Sequence, residues 1–261
     1  IEPTPKIGEH NPEFAKKHLS EDPMELKEGA VTGKPTTMRM ADNGEQRQVE
    51  YAIVPLSSIQ ASHIAGKSTG FDYNPAYPKQ PGVKTINDRD YATDDNAYQK
   101  VVKIANELDP ASLINTDNSP AGGSPVITKD GIAISGNGRT LSLKYAELHN
   151  PKAIKEYTDY LKENSYMFSG QSPESTKSTI NGMISKGEVP VLVRVDKGIE
   201  GEYDTALLRR YNAEVGQSKA PMDALIDMAK TFQAEGNKKT KEVISQEIGK
   251  HTSLSDFYSS P

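Results

Sequence analysis

The chain has no cysteine and no tryptophan. Without cysteine there are no disulfide staples and no thiolate metal sites, which fits a reducing compartment and makes a cytoplasmic location the expectation. There is no apolar run approaching the roughly 18 residues that cross a bilayer as a helix, and no basic-then-apolar signal segment, so no membrane partner is expected. Positive charge is also short. The 31 lysines and arginines face 36 aspartates and glutamates, leaving a net charge of −5, a poor electrostatic footprint for a protein that grips nucleic acid over its whole surface. Any contact with DNA has to use a local patch. Hydrophobic residues make up only 34% of the chain and prolines number 17, which points to long polar connections around a modest core. At 261 residues that core still suffices for one large or two small domains. The first residue is Ile1, which predicts an excised piece of a longer protein with other domains.

What the chain does have is one short run in an informative setting: Ser135-Gly136-Asn137-Gly138-Arg139-Thr140. Before it, residues 125–134 alternate apolar and polar positions around Asp130-Gly131, the pattern of a tight β-hairpin. After it, Leu141, Tyr145 and Leu148 recur at helical spacing, so a helix is expected from about Arg139 or Thr140. Glycines let a backbone approach a ligand closely, and the unpaired N–H groups of a helix start favour an anion. Arg139 adds a forked cation suited to phosphate oxygens and Thr140 a hydroxyl. The run reads as a phosphate cradle, against the plainer reading that glycine serves only the turn and the arginine is solvated.

The rest of the pattern supplies the scaffold. Residues 36–40 and 46–54 flank Asn43-Gly44, a strong hairpin signal, and Leu56 and Ile59 suit a single helical turn. His63 reads first as a satisfied structural histidine. Residues 64–96 read as a long loop whose Phe71, Tyr73, Tyr77 and Tyr91 argue against disorder. Helices are expected from Asp95 to Leu108, after the Asn150-Pro151 and Ser172-Pro173 caps, over residues 204–211 and from Pro221. The run 189–195 is the most β-prone stretch and should be an interior strand.

Three separated blocks then fall in a recognisable order: Asn74-Pro75 with Gln80-Pro81, Gly136-Asn137-Gly138-Arg139, and Tyr211-Asn212 through Ser218 to Pro221. Together they resemble the motif regions of the ParB/sulfiredoxin superfamily, most closely the DdrB-like ParB-superfamily domain of phage and mobile-element proteins, over residues 36–235. The resemblance implies an α+β fold, a small mixed sheet with surrounding helices, in a domain spanning 31–235. Residues 1–30 would be a polar arm, and 236–261 a helical tail or the start of a further domain. It implies nucleotide chemistry as well, since relatives bind CTP, ATP or ADP at the glycine-arginine turn with Mg2+.

Carried across by position, Gly136, Asn137, Gly138, Arg139 and Thr140 would hold phosphate oxygens. Asn212 and Glu214 would face the metal or the phosphates, and Ser218 would cap the last helix or bond the ligand. This chain has Gly82 where relatives carry arginine after Gln-Pro, and Arg89 is the substitute. The implied cofactor is Mg2+ with a nucleoside triphosphate or diphosphate. The implied partners are a nucleotide, DNA and the other domains of a parent protein. The reaction stays open between NTPase and phosphotransfer, with His63, Asp88 and Asp90 as candidate bases. The alternatives are a DNA-binding or nuclease-like module, suggested by a helix-turn-helix-like run at 244–253, and a fold that has lost its ligand.

Overall fold

The computed structural model describes residues 30–40, 44–66, 70–79, 84–87, 89–199 and 205–212. The arm over 1–29, Asn43, Gln80-Pro81-Gly82, Asp88, Glu214, Ser218, the helix expected from Pro221, the helix-turn-helix-like run and the tail lie outside the described residues. The chain divides into two compact units, Ile1–Ala213 and Glu214–Pro261, and the described residues belong to the first.

Strand β1 (Val31–Arg39) pairs antiparallel with β2 (Gln46–Pro55), and the register shifts between Thr32 and Pro35. Proline cannot donate to a ladder, so the irregularity falls where it is tolerated. Gly33 stands inside this shift against foreign backbone. A β-carbon there would lie 2.2 Å from Tyr51 O and 2.7 Å from Phe168 O. Backbone on both sides cannot step aside, so Gly33→Ala is expected to destabilise by about 3 kcal/mol, read as a lowered urea midpoint at unchanged slope.

A single turn at Leu56–Ser58 leads to β3 (His63–Ala65), which pairs with β4 (Phe71–Tyr73) in a separate two-stranded sheet. The stretch expected to be loop throughout therefore contains two strands. Helix α1 (Asp95–Asn106) is capped by the Asp94 side chain, and the short α2 (Pro110–Leu113) by Asp109. The hairpin of β5 (Val126–Thr128) and β6 (Ala133–Ser135) turns at Gly131, where φ is +79°. Then come α3 (Asn137–His149), α4 (Pro151–Asn164) with Asn150 as cap, α5 (Pro173–Ser185) with Ser172 as cap, β7 (Pro190–Asp196) and α6 (Thr205–Asn212).

The main sheet has the order β1-β2-β7-β5-β6, antiparallel except where β7 lies parallel to β5. Alternate residues enter different cores, as a sheet covered on both faces requires. Ile127 and Ala133 join Ile53, Leu192, Tyr157 and Leu161 in one core. Val126 and Ile134 join Met38, Val49, Leu208 and Tyr211 in the other. Every residue of β7 is buried. The fold is thus α+β with a mixed five-stranded sheet, and the glycine turn leaves the end of its edge strand β6. No helix among the described residues is long and apolar enough to cross a membrane.

Candidate phosphate site at the start of α3

Helix α3 begins at Asn137, two residues before the position that the apolar spacing predicts. Gly136 makes the early start possible. It takes the left-handed conformation with φ +79°, and a β-carbon there would lie 2.7 Å from Nε and Nη2 of Arg139. The first helical bond runs from Thr140 N to Gly136 O at 2.9 Å. Gly136 has no side chain to cap the helix. Among the described residues the N–H groups of Asn137, Gly138 and Arg139 have no acceptor outside the helix. Three donors therefore stand at the positive end of a helix dipole.

The side chain of Asn137 is turned inward and is 3% exposed. Its Oδ1 accepts from Ser62 N at 2.7 Å, and its Nδ2 donates to Tyr77 Oη at 3.2 Å, Asn87 Oδ1 at 3.1 Å and Ala133 O at 3.0 Å. The carboxamide bolts the outer loops to β6, which leaves the backbone N–H of Asn137 at the helix start. The same bolt positions Arg89, since Asn87 Nδ2 donates to Arg89 O at 2.6 Å. The Arg89 side chain is exposed and hydrogen-bonds the Tyr91 hydroxyl. That hydroxyl lies 3.0 Å from where a β-carbon of Gly138 would stand. The structure thus brings Arg89 to the first turn of α3, although it is 49 positions from Gly138 in the sequence.

Arg139 does not extend into solvent. Its Nη1 donates to the carbonyls of Gly122, Gly123 (2.5 Å) and Ser124 (3.4 Å), and its Nη2 to Pro120 O at 2.7 Å. Arg194, from the middle of β7, grips the same loop. It donates to Asp117 O (3.0 Å), Ser119 O (2.8 Å), Gly122 O (2.5 Å) and Ser124 O (2.6 Å). Carbonyl oxygens satisfy the hydrogen bonds without cancelling the charge, and the nearest carboxylate, Asp117, acts on both only at longer range. Burial, then repulsion from Arg194, pushes the Arg139 guanidinium down to about 9, and burial pushes Arg194 down to about 10. Both are still cations at pH 7. Two further groups in this region lack partners: Ser124 Oγ and Thr140 Oγ1 are buried without a hydrogen bond among the described residues.

Sequence reasoning passed over Arg194. The available signal was a lone cation inside an otherwise apolar β-prone run, a placement that is costly unless the charge is well solvated by protein.

Asn212, the last residue of α6, also reaches the turn. Its Nδ2 donates to Ile134 O (3.2 Å) and Leu208 O (2.7 Å), and its Oδ1 lies 3.3 Å from Ser135 Oγ. The helix is held there by the Tyr211 hydroxyl, which donates to buried Asp196, and Arg47 Nε meets the same carboxylate at 2.8 Å. Burial, then the Asp196 contact, pushes the Tyr211 phenol up. Among the described residues no group of three or more His, Asp or Glu gathers as a metal cage.

A family model described as the ddrB-like ParB superfamily domain matches residues 42–197. The chain belongs to that family. The span matched by the ddrB-like ParB superfamily domain includes the main sheet from β2 to β7, the glycine turn, Arg89, Arg139 and Arg194; α6 and Asn212 follow it. No curated protein and no solved structure matches the chain.

Proposed function

We propose that this ddrB-like ParB superfamily domain binds the phosphates of a nucleoside di- or triphosphate at the start of α3, in the service of a protein that acts on DNA. The observation that carries the reading is the set of three N–H groups without acceptors among the described residues at Asn137, Gly138 and Arg139, beside one buried and one partly buried guanidinium group satisfied by carbonyls. Donors and uncompensated positive charge in one place favour an oxyanion. Arg139 contributes its field and locks the loop at Pro120 to Ser124, and exposed Arg89 is the arginine placed to fork onto a phosphate. Asn212 stands at the end of β6, next to the same turn. Mg2+ prefers phosphate oxygens and water to dedicated protein cages, so it enters with the nucleotide.

Thermal unfolding of the full chain with CTP, ATP, GTP and ADP, each with and without Mg2+, tests the proposal. A nucleotide at 100 times its Kd adds about 2.7 kcal/mol to the folded state, a rise of about 5–10 °C for a domain of this size. Arg89→Ala is expected to weaken the binding about tenfold and to leave the unliganded melting point within about 1 °C, because the side chain is exposed. A flat response across the nucleotides sinks the reading.

A further inference from the structure

Beside this turn lies a hydrogen-bonded line of three groups that the anion site leaves unused. Ser62 and His63, each 1% exposed, adjoin in sequence, and Asp90 comes from the loop before α1. His63 Nδ1 lies 2.9 Å from Ser62 Oγ, and Nε2 lies 3.4 Å from Asp90 Oδ1. Asp90 also accepts from the Tyr73 hydroxyl at 2.6 Å and from Ala92 N at 3.0 Å. Burial pushes the Asp90 carboxyl up, but the bonds from Tyr73, Thr93, Ala92 and His63 outweigh it and hold the group below its ordinary value. An ionised carboxylate only accepts, so Nε2 carries the imidazole proton and Nδ1 is left to accept from the serine hydroxyl. Burial pushes His63 down against the opposing pull of Asp90, which keeps the ring neutral at pH 7. Hydroxyl, imidazole and carboxylate in this order are the arrangement by which a base and its positioning carboxylate activate a serine, here with the two ring nitrogens exchanged.

The line ends at the phosphate site. Ser62 N donates to Asn137 Oδ1 at 2.7 Å, so the serine is one hydrogen bond from the first residue of α3. The His63 ring packs edge-on against Tyr91 with centroids 5.3 Å apart, and the Tyr91 hydroxyl stands beside Gly138.

We propose that Ser62 is a nucleophile that takes the terminal phosphoryl group of a nucleotide bound at α3, with His63 as its base and Asp90 positioning the imidazole. The proposal rests on the reading of that turn as a phosphate site. Ser62 Oγ attacks the terminal phosphorus. The new Oγ–P bond forms as the bond from phosphorus to the bridging oxygen breaks, the leaving nucleotide keeps that electron pair, and the hydroxyl proton moves to His63 Nδ1. Enclosure of Ser62 keeps water from competing.

The test uses two probes on the full chain. A fluorophosphonate reports an activated serine without any nucleotide site, forming an Oγ–P bond as fluoride leaves. Mg2+ with CTP, ATP or GTP reports transfer. Intact mass and peptide mapping read both. An adduct at Ser62 is expected with the fluorophosphonate, formed about 100-fold more slowly in His63→Gln and absent in Ser62→Ala, and one phosphoryl group on Ser62 with at least one nucleotide. Asp90→Asn should slow labelling while the far-UV spectrum is kept. Because the wild-type adduct is mapped directly, the result does not depend on whether Ser62→Ala folds. Labelling of Ser62 by the fluorophosphonate when no nucleotide shifts the melting point means that the nucleotide reading fails and the acceptor role fails with it, while the activated serine stands. If neither probe modifies Ser62, whether or not a nucleotide binds, the proposal is overturned and the line is a structural hydrogen-bond chain.

Discussion

Asn137→Ala is expected to cost about 3–4 kcal/mol of folding stability, since it removes a buried acceptor from a main-chain donor and leaves a small cavity. The effect is large because of what the carboxamide joins. Ser62 N loses the oxygen at 2.7 Å that satisfies it, and Asn87 Oδ1 loses the donor that ties the Arg89 segment to α3. Ala133 O fares better, since it keeps the Tyr77 hydroxyl at 2.6 Å. Against a total stability of about 5–15 kcal/mol the variant folds but with a much lower urea midpoint. The informative comparison is Asn137→Asp. Aspartate can still accept from Ser62 N, but its second oxygen would face Tyr77 Oη, Asn87 Oδ1 and Ala133 O, where the amide now donates. It also sets a negative charge under the three open N–H groups. The folded fraction of Asn137→Ala should keep nucleotide binding within about tenfold because those donors are main-chain, whereas Asn137→Asp should lose it. Equal losses in the two variants, measured by nucleotide titration, would show that the amides do not hold the ligand.

The parts of the fold that were legible are those with local causes. The strand over β7 announced itself by a β-prone run, the β5–β6 hairpin by Asp130-Gly131, and α4 and α5 by a capping residue followed by proline. The β3–β4 pair was not legible, because strands of three residues are too short to display a period of two. The start of α3 was misplaced because its cap is a left-handed glycine, which gives none of the side-chain signals by which a helix start is read. The turn itself was singled out from sequence, but the partners of its residues were not. Arg139 meets carbonyls 15 to 19 residues earlier, and Asn137 reaches 75 residues back to Ser62. Arg194 and the Ser62, His63 and Asp90 line are likewise products of tertiary contact. The run 189–195 gives Arg194 away only as an oddity, and nothing in the spacing of His63 and Asp90 shows that they meet.

Arg194→Met should be the most destabilising substitution near the site, by about 3–5 kcal/mol. Asp117 O and Ser119 O would lose the Arg194 donors that hold them. Gly122 O and Ser124 O would keep Arg139, so the loop would be freed at one end and held at the other. Arg194→Lys separates charge from geometry. An ammonium restores the cation but cannot reach carbonyls spread from Asp117 to Ser124 as a planar fork does, so about half of the stability loss should remain. Binding should respond differently. If Arg194 acts on the phosphates through its field alone, Arg194→Lys keeps nucleotide affinity near that of the wild type, while Arg194→Met weakens it several-fold and reduces its sensitivity to salt. If affinity follows stability in both variants, the loop's shape is what the site needs, and the buried charge is incidental to the ligand. The first outcome is expected, because Arg194 stands within a strand buried along its whole length and is surrounded by carbonyls rather than a carboxylate, so its charge is left uncancelled.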